Sequence, residues 1–293
     1  MLSLKALRKR IKTVESTRQI TKAMKAVAVS KLRRVQEMSD NTKRYSTALS
    51  RIVGQLLAAA PDVEHPLWRK TAQPRKVTIV LVTADRGMCG AFNNHAIEHA
   101  NHLVKELGES NVELYCIGKK GRDFARRRHL DIVAAHIDSG GKIDVELTSR
   151  ITDELTSRFA AGLTDRVVVV HNVFVNMMRY TTATFEFLPL DPATLLAGQP
   201  AGTGSSNREY IFEPDAAEVF SVTLARYLRV RMVSTLVIAL TAEHSARMIA
   251  MTNASDNCDE LLTSLTLQRN KARQAAITKE LLEIVSGAEA LKG

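Results

Sequence analysis

Two long stretches of the chain, one at each end, run without a helix-breaking residue, and the first keeps an apolar rhythm of helical period. The first Gly is Gly54 and the first Pro is Pro61, so nothing interrupts a helix before them. Counting sevens from Leu7 gives Leu7, Val14, Thr21, Ala28, Val35, Thr42, Leu49 and Leu56. A companion row begins with Leu4 and Ile11 and then shifts to Met24, Met38, Tyr45 and Ile52. Such a heptad seam with a local phase shift is the mark of a long coiled helix. Residues 3–57 are expected to form a rod of roughly 80 Å at ~1.5 Å per residue. A second stretch, residues 215–286, opens on Glu213-Pro214-Asp215-Ala216-Ala217-Glu218 and meets no Gly or Pro before Gly287. Pro and acids at a helix start suit the free N–H groups and the positive dipole end. This helix is on the order of 100 Å long, and patterns far beyond ~25 residues point to coiled coils. Two such helices at opposite ends of one chain predict an antiparallel pair.

Between them the period changes. Residues 76–83 (KVTIVLVT) read as a buried strand, 91–107 as a helix, 112–117 as a strand and 119–128 as a short basic helix. Residues 132–137 form a third strand candidate and 144–161 a helix. Residues 166–175 and 182–188 close the region as a hairpin through Asn176-Met177-Met178. Alternating strands and helices predict an α/β sheet domain. Residues 191–207, with Pro, Gly and Ser, read as a loop. The expected organisation is α/β in class: a long antiparallel coiled coil of N- and C-terminal helices (residues 1–58 and 208–287) with a central Rossmann-like α/β domain (residues 76–190).

Composition adds one decisive fact. The chain carries a formal charge of +10, and residues 1–58 hold fourteen Lys and Arg against Glu15, Glu37 and Asp40. That one segment exceeds the excess of the whole chain, whereas residues 208–293 are near neutral with ten basic and eleven acidic residues. A concentrated basic stripe calls for an acidic partner: nucleic acid, anionic lipid or an acidic protein surface. Tyr45 is the only aromatic in residues 1–58, so the base-stacking platform of a single-strand binder is missing. No apolar run approaches the ~18 residues of a membrane span. Residues 1–12 are basic and amphipathic and lack the apolar core of a secretory signal.

Several candidate sites have plain structural readings. Thr83-Ala84-Asp85-Arg86-Gly87-Met88-Cys89-Gly90 lies between a strand and a helix, where nucleotide loops sit, but Gly87 and Gly90 are three apart with no third glycine. Gly118-Lys119-Lys120-Gly121 lacks phosphate-loop spacing. The expected role of Gly87 and Gly90 is a tight turn that lets helix and strand pack closely. Cys89 beside a helix start is a candidate nucleophile. His95, His99 and His102 share a helix face but have no carboxylate or Cys to complete a metal set. Cys89, Cys116 and Cys258 contain no C-x-x-C, so neither a zinc site nor a disulfide framework is expected. Met24, Met38, Met248 and Met251 read as seam packing.

Ile20-Thr21-Lys22-Ala23-Met24-Lys25-Ala26-Val27-Ala28 with Lys31-Leu32-Arg33 resembles the N-terminal signature of ATP synthase gamma subunits. Residues 83–93 (TADRGMCGAFN) are similar to that family's first strand-turn-helix. Residues 246–251 (ARMIAM), 270–280 (NKARQAAITKE) and 283–288 (EIVSGA) are similar to its C-terminal helix. The resemblance covers both ends and the middle in order. It implies a rotating central stalk without an active site or cofactor, coupling ion flow through a membrane c-ring to ATP synthesis or hydrolysis on an alpha/beta hexamer. Its implied partners are the alpha and beta subunits, an epsilon-type (or delta-type) stalk subunit and the c-ring, with no nucleic acid and only indirect membrane contact. The implied location is peripheral, on the cytoplasmic side of a bacterial plasma membrane or the matrix side of the mitochondrial inner membrane. By the same resemblance Met24, Lys25, Arg247, Arg273 and Gln274 lie where the shaft meets hexamer loops, and Tyr210 and Glu213 where it reaches c-ring loops. The last turns, with Leu281, Leu282, Ile284 and Val285, are implied to spin in an apolar sleeve. Thr252 to Glu260, including Asn257-Cys258-Asp259, departs from the Ala-rich family pattern. The alternatives are a basic coiled-coil scaffold or nucleic-acid-binding protein, and a nucleotide-dependent enzyme on the α/β domain.

Overall fold

A computed structural model describes residues 3–61, 63–197, 212–213 and 215–290. In chain order they form α1 (Leu4–Ala59), β1 (Val77–Val82), α2 (Phe92–Leu107), β2 (Val112–Ile117), α3 (Lys119–Arg127), β3 (Ile132–His136), α4 (Val145–Ala160), β4 (Arg166–Asn176), β5 (Arg179–Leu188), the short α5 (Pro192–Ala197) and α6 (Ala216–Ala290). The expected elements appear with three differences. β5 begins at Arg179 instead of 182, because the hairpin closes tightly and Met178 N–H donates to Asn176 Oδ1 at 2.9 Å. The rim residues it adds are polar and so invisible to an apolar pattern. α6 runs through Gly287 to Ala290, a glycine lowering helix propensity without forbidding the conformation. α5 occupies part of the segment expected as a loop; residues 198–207 lie outside the described residues.

The chain divides into two compact units, Ser30–Ala246 and the paired ends Met1–Val29 with Arg247–Gly293. In Ser30–Ala246 the five strands lie in the order β3-β2-β1-β4-β5, parallel except for the β4–β5 hairpin. Central β1 is buried along its length, as its unbroken Val-Thr-Ile-Val-Leu-Val run requires of a strand covered on both faces. One face packs Ile79, Leu81, Leu114 and Val170 against Ala96, Ala100, Val104 and Phe124 of α2 and α3. The other packs Val80, Val82, Tyr115, Val167 and Val169 against α4, against Leu49, Val53, Leu56 and Leu57 of α1, and against Phe220, Leu224, Leu228 and Met232 of α6. Both terminal helices therefore dock on one sheet face. Arg231 of α6 secures the hairpin, its guanidinium 4.6 Å from the Phe185 ring centre and donating to the Glu186 carbonyl at 3.1 Å.

The companion row of α1 is corrected by the structure. Met38, Tyr45 and Ile52 are exposed at 38%, 44% and 46%, whereas Leu32 and Val53 are buried at 2% and 1%. The Leu4–Ile11 row keeps its phase through Arg18, Lys25, Leu32, Ser39, Ser46 and Val53. Reading by apolarity jumps onto the neighbouring row because four of these positions are polar. The row from Leu7 stands: Leu7, Thr21, Ala28, Val35, Leu49 and Leu56 are buried. Among the expected seam methionines Met251 is buried, Met24 and Met248 are half-buried, and Met38 is not in the seam.

Glu113 and His171 are buried ionisable groups of the sheet. Glu113, 1% exposed, accepts hydrogen bonds from Thr78 Oγ1 at 2.6 Å, Arg158 at 2.8 Å and Lys76 Nζ at 3.0 Å. Burial alone raises its pKa, but the bonds from Thr78, Arg158 and Lys76 together hold it below the usual value. His171 on β4 has a buried Nδ1 without a hydrogen-bond partner, and burial depresses its pKa from 6.5 to about 4.

The unfolded chain thus takes up a proton at His171 between the two values while the folded chain does not, so stability falls as pH drops through this window. Denaturant titrations of the parent and of His171→Phe at about pH 7 and about pH 5 are expected to show about 2 kcal/mol more loss in the parent. Equal losses in both proteins would contradict a neutral buried His171.

Candidate interaction surface

The turn after β1 is built for packing. Ala84 N–H donates to Asn93 Oδ1 at 2.8 Å, and Asn93 Nδ2 approaches Cys89 Sγ at 3.2 Å. Cys89 is buried at 1%, within an apolar group that includes Phe92, Ala242 and Ala246. That placement makes it a core residue rather than an exposed nucleophile. The close-packing role expected of Gly87 belongs instead to Gly118 and Gly121, while Gly90 makes the expected turn at φ +59. A Cβ on Gly118, at φ +99, would lie 2.1 Å from the Thr83 carbonyl oxygen, and one on Gly121 would lie 3.2 Å from Leu81 Cδ2, whereas one on Gly87 meets nothing within 4 Å. No local pattern marks this, since the clash is with Thr83, 35 residues earlier and just past the end of β1. At the start of α3, Asp85 Oδ1 accepts from Lys119 N–H at 3.0 Å, so a protein carboxylate occupies the anion-favouring helix end. A shallow cleft of about 290 Å³ beside this turn is lined by Met88, Asn94, Lys120 and Arg127 among others. His95 and His102 are exposed and His99 is half-buried. Among the described residues no three His, Cys, Asp or Glu side chains group as a metal site.

The paired chain ends have a different character. Ser3 Oγ accepts from Ala6 N–H at 3.2 Å and caps α1. Leu7, Ile11 and Val14 then pack with Leu262, Leu265 and Ala272 of α6, and Arg18 bonds Asp259 Oδ1 at 2.7 Å. Numbers rise on one helix as they fall on the other, so the pair is antiparallel, as expected. Its charge lies on α1: Lys5, Arg8, Lys9, Arg10, Lys12 and Lys22 are exposed. Among the described residues these six enter no ion pair.

The residues expected to touch a hexamer fall into two groups. Met24 and Lys25 are half-buried on α1, and Arg247 is half-buried on α6. Extending the Arg18–Asp259 register puts Arg247 within about two turns of Lys25 in height. Arg273 and Gln274 are exposed and lie ~39 Å further along α6, at ~1.5 Å per residue. Of the two residues expected at a c-ring, Glu213 is exposed just before α6, and Tyr210 lies outside the described residues.

Beyond Ala272, α6 carries an apolar stripe that nothing in its unit covers. Ile277, Leu281, Leu282, Ile284 and Val285 are exposed at 49%, 57%, 62%, 68% and 58%. Their spacing of four, three and one puts most of them on one helical face. Lys279 and Glu283 form an i,i+4 pair at 3.6 Å on the polar side. A large exposed apolar stripe beside unpaired cations is the composition of a surface completed by a partner. Sequence reading named the stripe only from Leu281 onward; Ile277 belongs to it by the same period.

Known proteins share this arrangement. The chain matches the family model described as ATP synthase over residues 3–291. It is 39% identical to the ATP synthase gamma chain of Pelotomaculum thermopropionicum over 100% of both chains. It is equally 39% identical, over 100% of both chains, to the ATP synthase gamma chain of Nitratidesulfovibrio vulgaris strain DSM 19637 / Miyazaki F. Among solved structures it aligns with a chain of the Euglena gracilis mitochondrial ATP synthase OSCP/F1/c-ring assembly in rotational state 3, at TM-score 0.69 and 18% identity, covering 98% of this chain and 94% of that one. A chain of the Tetrahymena thermophila mitochondrial ATP synthase central stalk/c-ring structure aligns at TM-score 0.62 and 24% identity, over 80% of this chain and 99% of that one.

The contrast between core and stripe is testable on the isolated chain. Leu265, 2% exposed, is expected to cost about 2–4 kcal/mol as Leu265→Ala. Leu281→Ser and Ile284→Ser are expected to stay within about 0.5 kcal/mol. Chemical denaturation of the three variants decides it, and a large loss from either tail variant would mean that the stripe is already covered in the free chain.

Proposed function

The chain belongs to the ATP synthase gamma-chain family, and on that premise we propose that it is the rotating central-stalk subunit of an F-type ATP synthase. In this reading ion flow turns a membrane c-ring and the shaft with it, and the turning shaft sets the conformations of catalytic subunits in an alpha/beta hexamer. The observation that carries the proposal is the uncovered apolar stripe at the end of a long helix pair, a surface of little use to a free monomer. Its fit is a sleeve of partner side chains in which a helix can rotate with few directional bonds.

The physical logic is coupling through differential contact. Each partner conformation is favoured by the shaft face that it meets, and rotation exchanges the faces. Arg273 and Gln274 at one level, and Met24, Lys25 and Arg247 at another, are the proposed contacts with hexamer loops. Arginine suits this role because its planar guanidinium makes bidentate, charge-assisted bonds to carboxylates. The exposed cations of α1 supply a longer-range attraction for acidic loops, screened beyond ~8 Å at physiological salt. Glu213 and Tyr210 are the proposed contacts with the c-ring, beside an epsilon-type subunit. On this reading the chain transmits torque and performs no chemistry, and the α/β sheet serves as scaffold.

Among the described residues no helix is long and apolar enough to cross a membrane, so membrane attachment is proposed to run through the c-ring. The bacterial sources of the similar gamma chains support the cytoplasmic side of a bacterial plasma membrane. The scaffold and nucleic-acid readings of the basic stripe are not favoured, because the family accounts for the whole chain.

Two measurements test the proposal. Affinity purification of the tagged chain from mildly solubilised membranes is expected to recover alpha-type and beta-type subunits in excess over it; recovery of the chain alone would overturn the rotor reading. Arg273→Ala is expected to lower ATP synthesis on the order of tenfold, the worth of one hydrogen bond to a charged group, with the fold intact. Unchanged synthesis would remove Arg273 from the contact set.

A further inference from the structure

Between Val14 and Ala28 the seam of the terminal pair contains no fully buried large apolar side chain from α1, Met24 being half-buried. The seam positions of α1 are Arg18, Thr21 and Lys25, and the facing stretch of α6 from Met251 to Leu262 offers Thr252, Ser255, Cys258 and Asp259. Thr21 and Ser255 are buried at 7% and 5%, and Thr21 Oγ1 donates to its own helix, to the Arg18 carbonyl at 2.9 Å. Over these four helical turns, ~21 Å at ~1.5 Å per residue, the seam is therefore filled mainly by small and polar side chains, with few of the large apolar knobs that lock two helices together. Apolar packing resumes only outside this window, with Leu7, Ile11, Leu262 and Leu265 on one side and buried Ala28 and Met251 on the other.

One bond crosses this stretch among the described residues: Arg18 to Asp259 at 2.7 Å. The two side chains are 37% and 47% exposed, so the pair adds little to stability in water. Its geometry is nonetheless specific. Arg18 Nε is buried with no hydrogen-bond partner among the described residues, so the inner edge of the guanidinium faces the seam while the side chain stays partly in solvent. Asp256 and Glu260, the neighbouring acids of α6, are exposed and enter no ion pair among the described residues. Of these three acids only Asp259 pairs with Arg18 among the described residues.

We propose that the Arg18–Asp259 pair is a cross-tie that holds the two shaft helices in fixed rotational phase through the polar stretch, so that twist applied to one is carried by both. The mechanical consequence rests on the rotor reading; the cross-tie itself does not. Arg18 and Asp259 are positioning residues that act through the helices and need touch no partner. Polar seam positions of this kind trade stability for a defined arrangement of the helices.

Two readouts test it. In the full chain with Cys89, Cys116 and Cys258 replaced by Ala, nitroxide labels on Lys22→Cys and Asn257→Cys report the distance across the seam by pulsed electron paramagnetic resonance. One narrow distribution is expected for this background, broadening in Arg18→Leu and in Asp259→Leu. In the assembled enzyme with its native cysteines, Arg18→Asp and Asp259→Arg are each expected to lose ion pumping against an imposed gradient. Unloaded ATP hydrolysis should persist, and the Arg18→Asp/Asp259→Arg double variant should recover pumping, since opposite charges again face each other. An unchanged distance distribution in both Leu variants overturns the cross-tie. A double variant no better than either single, or full pumping in both singles, overturns its role in carrying torque. A chain that joins no larger assembly defeats the rotor reading, and the distance measurement still decides the cross-tie.

Discussion

The interaction on which the larger unit depends is the apolar cluster on one face of its sheet. There Leu49, Val53, Leu56 and Leu57 of α1 meet Phe220, Leu224, Leu228 and Met232 of α6 over Val80, Val82, Val167 and Val169. These helix segments are about 170 residues apart in sequence, and no local rule brings them together. Burial of the sheet face does, at about 25 cal/mol for each Å² of apolar surface removed from water. Because both helices dock on the same strands, their directions are set relative to each other in that unit. The opposite face is closed more locally by α2 and α3, which follow the strands they cover, as connected elements usually do.

Polar residues set the limits of this packing. Glu113 is tolerated in the interior because Thr78, Arg158 and Lys76 satisfy it together; without its cations a buried carboxylate would take up a proton. Gly118 and Gly121 let α3 approach β1 so closely that any Cβ at Gly118 collides with the Thr83 backbone. In the paired ends the balance runs the other way. Small and polar side chains occupy part of the seam, while large apolar ones, Ile277 to Val285, face outward. A chain that leaves aliphatic side chains in water and fills a seam with Thr, Ser and Arg is folded for a partner as much as for itself.

Most elements were legible in the sequence because their signals are local. The strands announce themselves as unbroken β-branched runs, and the long helices by fifty or more residues without Gly or Pro. The errors share one cause. Met38, Tyr45 and Ile52 look like seam residues because they are apolar and spaced by seven, yet a seam is defined by the partner helix and tolerates Ser39 and Ser46. Gly87 looks like a packing glycine because it sits between a strand and a helix, yet the close approach is made by Gly118 to Thr83, 35 residues earlier in the chain. Arg18 was passed over as one cation of a basic stripe, though uninterrupted counting of sevens from Leu4 and Ile11 lands on it.

By itself the sequence determined the helical and strand periods, the concentration of charge on the first helix and the motifs of the gamma family, since these are properties of neighbours along the chain. Only the tertiary structure decided which row of α1 is buried, which glycines admit a backbone and which carboxylate Arg18 meets. It also separated Arg247 from Arg273 by ~39 Å along one helix. Each of these depends on what stands opposite a residue in space, and a periodic pattern names a face of a helix without naming its neighbour.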